Sequence, residues 1–247
     1  MSAAGEQTEA SRAHAPAAEE LDGFTPAETI DEVIERMTEI GASLEPRDGV
    51  GYFNRMYLAV TQSVKKGLQD AGFESGPFMS RLDVVFANRY LKAVVEHEAG
   101  KYAGLSWRPL FHARMERRAP VQFAICGMNA HINHDLPLSI VDTAQEMGVE
   151  PAKGTPECRD FEHVNEVLRQ VEAEVKSEFV TGLLAEIDRV MHGAGDKLAM
   201  WSIADARWRA WEHAEFLWRL RDHKELTKLY RDVLSQVVDV GGQGILI

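Results

Sequence analysis

The segment from Pro77 to Glu98 limits the possible folds more than any other. It carries Leu82, Val84, Val85, Phe86, Tyr90, Leu91, Val94 and Val95, apolar residues on more than one helical face. A helix that is hydrophobic nearly all round belongs at the centre of a bundle, covered on several sides. Asp83, Asn88 and Arg89 interrupt it as polar islands. Buried polar groups need partners, so these three are expected to be tied to one another, to backbone, or to a site.

The covering elements are legible on both sides. Thr25-Pro26-Ala27-Glu28 reads as a helix start, with Thr as N-cap and Pro at the first helical position. The helix it opens carries the stripe Ile30, Val33, Ile34, Met37 and Ile40, and Gly41 is expected to end it. Asp48 opens a second helix with Phe53, Met56, Tyr57, Val60 and Val64 on its apolar face. After a short segment around Trp107, Leu110 and Phe111, a helix is expected from about Val121 to Asp135. Pro137 cannot continue it and disfavours helical geometry at Leu136. A shorter helix, Leu138 to Met147, should stop at Gly148, with a loop from Pro151 to Cys158.

Further helices are expected from Asp160 to Phe179 and around Leu183 to Val190, the latter stopped by the glycines near Gly193. The stretch Leu198–Arg221 holds four of the five tryptophans. Trp201, Ala204, Trp208, Trp211, Glu215 and Trp218 alternate spacings of three and four, which places them on one face. The last helix, Lys224 to Val238, should turn Leu226, Leu229, Val233 and Val237 inward, leaving an irregular glycine-rich tail. No stretch alternates with period two for long enough to demand a strand, and no solenoid repeat is present. The expected product is a single all-α bundle of about eight to ten helices over residues 23–247. Residues 1–22, rich in Ala, Glu and Ser, are expected to form a disordered tail.

Charge and composition exclude several function classes. Acidic residues outnumber basic ones 39 to 27, for a net charge of −12, which argues against a nucleic-acid partner. No segment reaches the roughly 18 apolar residues of a membrane span, and no secretory signal is expected. Two lone cysteines, Cys126 and Cys158, fit a reduced cytoplasmic setting. Phosphate loops, a nucleophile elbow, His-Glu-x-x-His and paired Glu-x-x-His motifs are all missing.

Chemistry concentrates in Gly127–Pro137, which packs Asn129, His131, Asn133, His134 and Asp135 into an apolar run. His131, His134 and Asp135 have the i, i+3, i+4 spacing of one helical face. Two imidazoles and a carboxylate can hold Zn, Fe or Mn with open positions, a catalytic arrangement. The same residues, with Asn129 and Asn133 four apart, equally suit a hydrogen-bond network that binds a ligand or joins helices. Asp160 with His163, and His213 with Glu215, are weaker candidate clusters.

Arg81–Leu91, Gly127–Pro137 and the tryptophan-rich helix resemble a bacterial family catalogued as a domain of unknown function, marked by Asn-Ala-His-Ile-Asn-His-Asp-Leu. The resemblance covers roughly Gly49 to Arg221. It implies an all-helical fold, with Asn129, His131, Asn133, His134 and Asp135 at the marker positions and Asn88 and Arg89 nearby. The His-Asp doublet is also shared with metal phosphohydrolases, whose other ligands find no counterpart here.

The leading expectation is a metal-dependent hydrolase or lyase acting on a small, partly apolar organic substrate; an oxygenase would use the same ligands. His131, His134 and Asp135 would hold the metal, Glu215 or Asp83 would serve as base, and Asn129 and Asn133 would assist. Asn88, Arg89, Tyr90, Trp208 and Trp211 would contact the ligand. The alternative is a cofactorless binding or cyclase-type protein in which the His/Asn/Asp cluster orients a ligand or is structural. Oligomeric state is open.

Overall fold

The computed structural model describes residues 23–70, 73–165, 168 and 203–247. The tail at 1–22, Trp201, and the expected helix around Leu183–Val190 lie outside them. Among the described residues the protein is all-α, without strands. Its helices are α1 (Ile30–Ser43), α2 (Gly49–Asp70), α3 (Gly76–Glu98), α4 (Arg108–Ala113), α5 (Pro120–Ala130), α6 (Leu136–Met147), α7 (Ile203–Leu220) and α8 (Lys224–Ile245). A π-helical turn, His131–Asp135, joins α5 to α6, and residues 156–165 are also helical.

The α3 helix is largely buried, with Phe78, Leu82, Ala87, Tyr90 and Leu91 inside and α1, α2 and α6 packed against it, but Val95 is exposed, so it is not covered all round. Its polar islands serve three different ends. Asn88 clamps the backbone of Ala27, accepting from its N–H (2.7 Å) and donating to its C=O (2.8 Å). Arg89 reaches Ser139 and Asp142 on α6. Asp83 faces a cavity.

The Asn88 clamp moves the start of α1. The helix begins at Ile30, capped by Thr29, whose hydroxyl accepts from the Glu32 N–H. Thr25-Pro26 does not open it, because Ala27 is held outside helical pairing by a residue 61 positions away. Gly41 does not end it either; the helix runs on to Ser43.

The larger correction concerns Pro137. The helix does not stop there: α5, the π-turn and α6 form one continuous rod from Pro120 to Met147. An α-helical Pro137 would lack the bond to the Asn133 carbonyl and crowd it with its ring. The π-turn absorbs this by widening the rod, and the Leu136 N–H reaches back five residues to the His131 carbonyl. The histidine motif therefore sits mid-rod, surrounded by other helices. Gly148, at φ 66°, ends α6 as expected.

Two faces are also placed differently. On α7 the buried stripe is Ala206, Ala210, Trp211, Ala214 and Leu217. The alanines allow close approach to α6, leaving Trp208 and Trp218 half-buried at the margin beneath Lys153 and Arg221. On α8, Leu226, Leu229, Val233 and Val237 are exposed, while Leu234, Val238, Asp239 and Gly242 face in. That rotation is fixed by polar ties: Arg108 pairs with Asp239, and Asn129 donates to the Val238 carbonyl (2.8 Å). The glycine-rich tail continues α8 to Ile245, since Gly242 lets the helix press onto Pro109.

Candidate functional site

The π-turn presents its three ionisable residues to one another. The His131 Nδ1 lies 3.2 Å from Asp135 Oδ2, and His134 Nδ1 lies 2.8 Å from Asp135 Oδ1. Trp107 donates its indole N–H to Oδ2 at 3.0 Å. Burial alone would raise the Asp135 carboxyl, but the hydrogen bonds and electrostatic pull of the two imidazoles outweigh it and hold the group well below the usual carboxylate range. Ionised, Asp135 is an acceptor only, so both Nδ1 atoms carry the proton. The Ser235 hydroxyl, on α8, lies 2.9 Å from the far nitrogen of His134.

His131 differs from His134 in one respect. Its Nε2 is buried and meets no hydrogen-bond partner among the described residues. The ring is clamped between Phe86, stacked at 3.6 Å and 7°, and Tyr57, edge-on at 4.4 Å. Burial lowers its pKa, against the pull of Asp135. The imidazole is thus a neutral, rigid acceptor.

A cavity of about 80 Å³ adjoins it, between α2, α3, the π-turn and α7. Its walls are mainly apolar, with Met56, Met79, Leu82, Met128 and Leu136 among them. Its polar lining comprises Tyr57, Thr61, Asp83, His131 and Arg207. Tyr57 Oη and Asp83 Oδ2, like His131 Nε2, are buried without a hydrogen-bond partner among the described residues. Burial raises the Asp83 carboxyl to about 7, with Arg207 opposing. Burial lowers Arg207 to about 10, with Asp83 opposing. The Tyr57 hydroxyl is pushed well above its ordinary value by burial and by Asp83.

The family of unknown function DUF5995 matches residues 30–246. The chain belongs to this family. No curated protein and no solved structure matches it.

In this DUF5995 chain the residues expected from the sequence separate into groups. His131 and Asp83 meet at the cavity. His134 and Asp135 lie behind His131. The three donors expected to hold a metal instead bond to one another, and among the described residues no three His, Cys, Asp or Glu side chains form a group that could hold one. Asn133 donates to Asn129 (3.0 Å), which in turn ties α5 to α8. Tyr90 donates to Asn54 (3.0 Å), which holds the Met37 carbonyl. Glu215 pairs with Arg219, outside the cavity lining, and Trp208 and Trp211 are likewise absent from it. His213 contacts Tyr230. Asp160 is buried inside helix 156–165 rather than at its start, accepting the Glu74 and Ser75 N–H groups ahead of α3; His163 meets Phe73 edge-on.

Tyr57 and Arg207 complete the lining and were not legible as site residues. Tyr57 sits in an apolar stripe, where an aromatic reads as core. Arg207 carried a usable signal: it shares helical spacing with Trp211 and Ala214, which marks it as a cation on a buried face. Its guanidinium lies 4.1 Å over Phe161 and donates to Asn165 Oδ1 and the Phe161 carbonyl.

Proposed function

We propose that this protein is a cofactor-independent small-molecule-binding protein whose ligand occupies the cavity beside His131. One observation carries this reading. Three polar atoms from three elements, Tyr57 Oη, Asp83 Oδ2 and His131 Nε2, are buried in one cavity lining without a partner among the described residues. An unsatisfied buried group costs about 1–3 kcal/mol. Three in one place are what a binding site looks like before its ligand supplies the missing bonds. A strut needs no such atoms.

The metal-dependent hydrolase or lyase reading needs His131, His134 and Asp135 to converge on a common point. Here the imidazole nitrogens nearest Asp135 are directed at its carboxylate. That geometry instead supports a role for Asp135 in fixing the tautomer of His131, leaving Nε2 to accept a hydrogen bond, or a proton, from a bound molecule.

Stability measurements test the reading. Tyr57→Phe removes a hydroxyl without a hydrogen-bond partner among the described residues, so it should leave the protein as stable or about 1 kcal/mol more stable in urea denaturation. A loss of 2 kcal/mol or more would show that the hydroxyl serves the fold, and the binding-site reading would fall.

A further inference from the structure

The lining of the cavity also limits the chemistry of its ligand. This step rests on the cavity being the binding site. His131 Nε2, with Nδ1–H committed to Asp135, offers a bare lone pair and accepts only from a donor. Tyr57 Oη can donate or accept. Asp83, with its carboxyl raised to about 7, keeps a donating O–H in a large fraction of molecules near neutrality. The polar lining of the cavity thus demands one donor and offers donors to an acceptor.

Charge narrows the choice. Asp135 is already met by three N–H groups, from Trp107, His131 and His134. The Arg207 guanidinium is engaged by Asn165 and the Phe161 carbonyl, and its remaining field falls on Asp83. An ion entering between Met56, Met79 and Met128 would lose its hydration, and an ion of either sign would be repelled by one member of the Asp83–Arg207 pair in the lining. A neutral molecule avoids that cost.

Size narrows it again. At about 80 Å³ the cavity has roughly half the volume of an engineered cavity of about 150 Å³ that holds benzene. Flexible methionine walls allow some expansion.

We propose that the cavity binds an uncharged molecule of roughly three to five non-hydrogen atoms, whose polar end carries an N–H or O–H donor beside an acceptor, the pattern of a primary carboxamide. Its N–H meets His131 Nε2. Its carbonyl accepts from Tyr57 and Asp83. Its apolar end lies against the methionines.

Three probes of nearly one shape differ only in charge: acetamide, acetate and acetamidinium. Each is titrated into the full chain carrying ¹³C-methyl methionine and ¹⁵N-histidine, with xenon as an apolar probe of access. Xenon and acetamide should both shift the Met56, Met79 and Met128 methyls, and acetamide alone should move the His131 Nε2 resonance. Acetate and acetamidinium should bind at least tenfold more weakly. Tyr57→Phe should weaken acetamide about tenfold, one hydrogen bond's worth, and leave xenon unchanged. If acetate or acetamidinium binds as tightly as acetamide, the ligand class is overturned and the site stands. If xenon enters but no acetamide binding is seen, the ligand class again falls alone. If neither xenon nor any probe reaches the three methionines, the site reading falls with it.

Discussion

The carboxylate of Asp135 lies 3.2 Å from Nδ1 of His131, and this contact decides which nitrogen of the imidazole faces the cavity. Asp135 also receives Trp107 and His134, so three donors converge on one buried group. Asp135→Asn would place an NH₂ group where donors already point. It should destabilise the protein by about 3–5 kcal/mol in denaturant unfolding, as loss of a buried charge partner does. It should also release the tautomer of His131, visible as a new pattern of imidazole ¹⁵N resonances. Asp135 holds its folded pKa below the unfolded value, so its stabilisation is present above about pH 4 and is lost as pH falls below it. Urea midpoints at pH 3 and pH 6 should accordingly differ less in the variant than in the parent.

Asp83 has the opposite sign. Its folded carboxyl is raised to about 7 by burial, against Arg207, while the unfolded chain titrates near 4. The folded state therefore binds the extra proton between those values. Its contribution is full below about pH 4 and declines as pH rises through 7. Asp83→Asn removes that titration. Thermal unfolding between pH 5 and pH 8 should show the parent losing stability with rising pH by up to a few kcal/mol, and the variant losing distinctly less. Equal slopes would mean that Asp83 titrates normally and that its burial beside Tyr57 and Arg207 is not as described.

The all-α class, the burial of α3 and the clustering of ionisable side chains in Gly127–Pro137 were legible because they rest on local periodicity and residue type. What the sequence hid were long-range effects. Asn88 resets the start of α1 from 61 residues away, which no N-cap rule can register. Pro137 reads as a terminator, and only the π-turn, stabilised by the Asp135 cluster, reverses that meaning. On α8 two apolar stripes compete, and the polar ties to Arg108 and Asn129 select the less obvious one. The cavity was hidden for a related reason: Tyr57 and Arg207 come from helices far apart in the chain, and their types alone mark core and surface.

The clamp on Ala27 can be measured directly. Asn88→Ala deletes two hydrogen bonds, at 2.7 and 2.8 Å, that join the entry segment to α3. It should cost about 1–3 kcal/mol. Amide exchange should speed up most at Ala27 and its neighbours, with little change in α5. Uniform acceleration across the bundle would show that Asn88 supports the whole core instead.

The glycines of the α8 tail give a prediction whose sign changes within three residues. In an unhindered helix, Gly→Ala stabilises by up to about 1 kcal/mol. A Cβ at Gly244 meets nothing within 4 Å, so Gly244→Ala should stabilise by up to about that amount. A Cβ at Gly242 would stand 2.9 Å from the Pro109 ring, and one at Gly127 would stand 2.4 Å from Phe53. Neither ring can swing away, since Pro109 is closed on its own backbone and Phe53 packs against Tyr90, Trp107 and His131. Gly242→Ala and Gly127→Ala should therefore destabilise by about 1–3 kcal/mol. Gly127→Ala carries a second consequence, because Phe53 also lines the cavity: it should disturb the His131 resonances, while Gly244→Ala leaves them in place. Denaturant midpoints of the three variants, measured together, check the continuity of α8 through Gly244 and the coupling of α5 packing to the site.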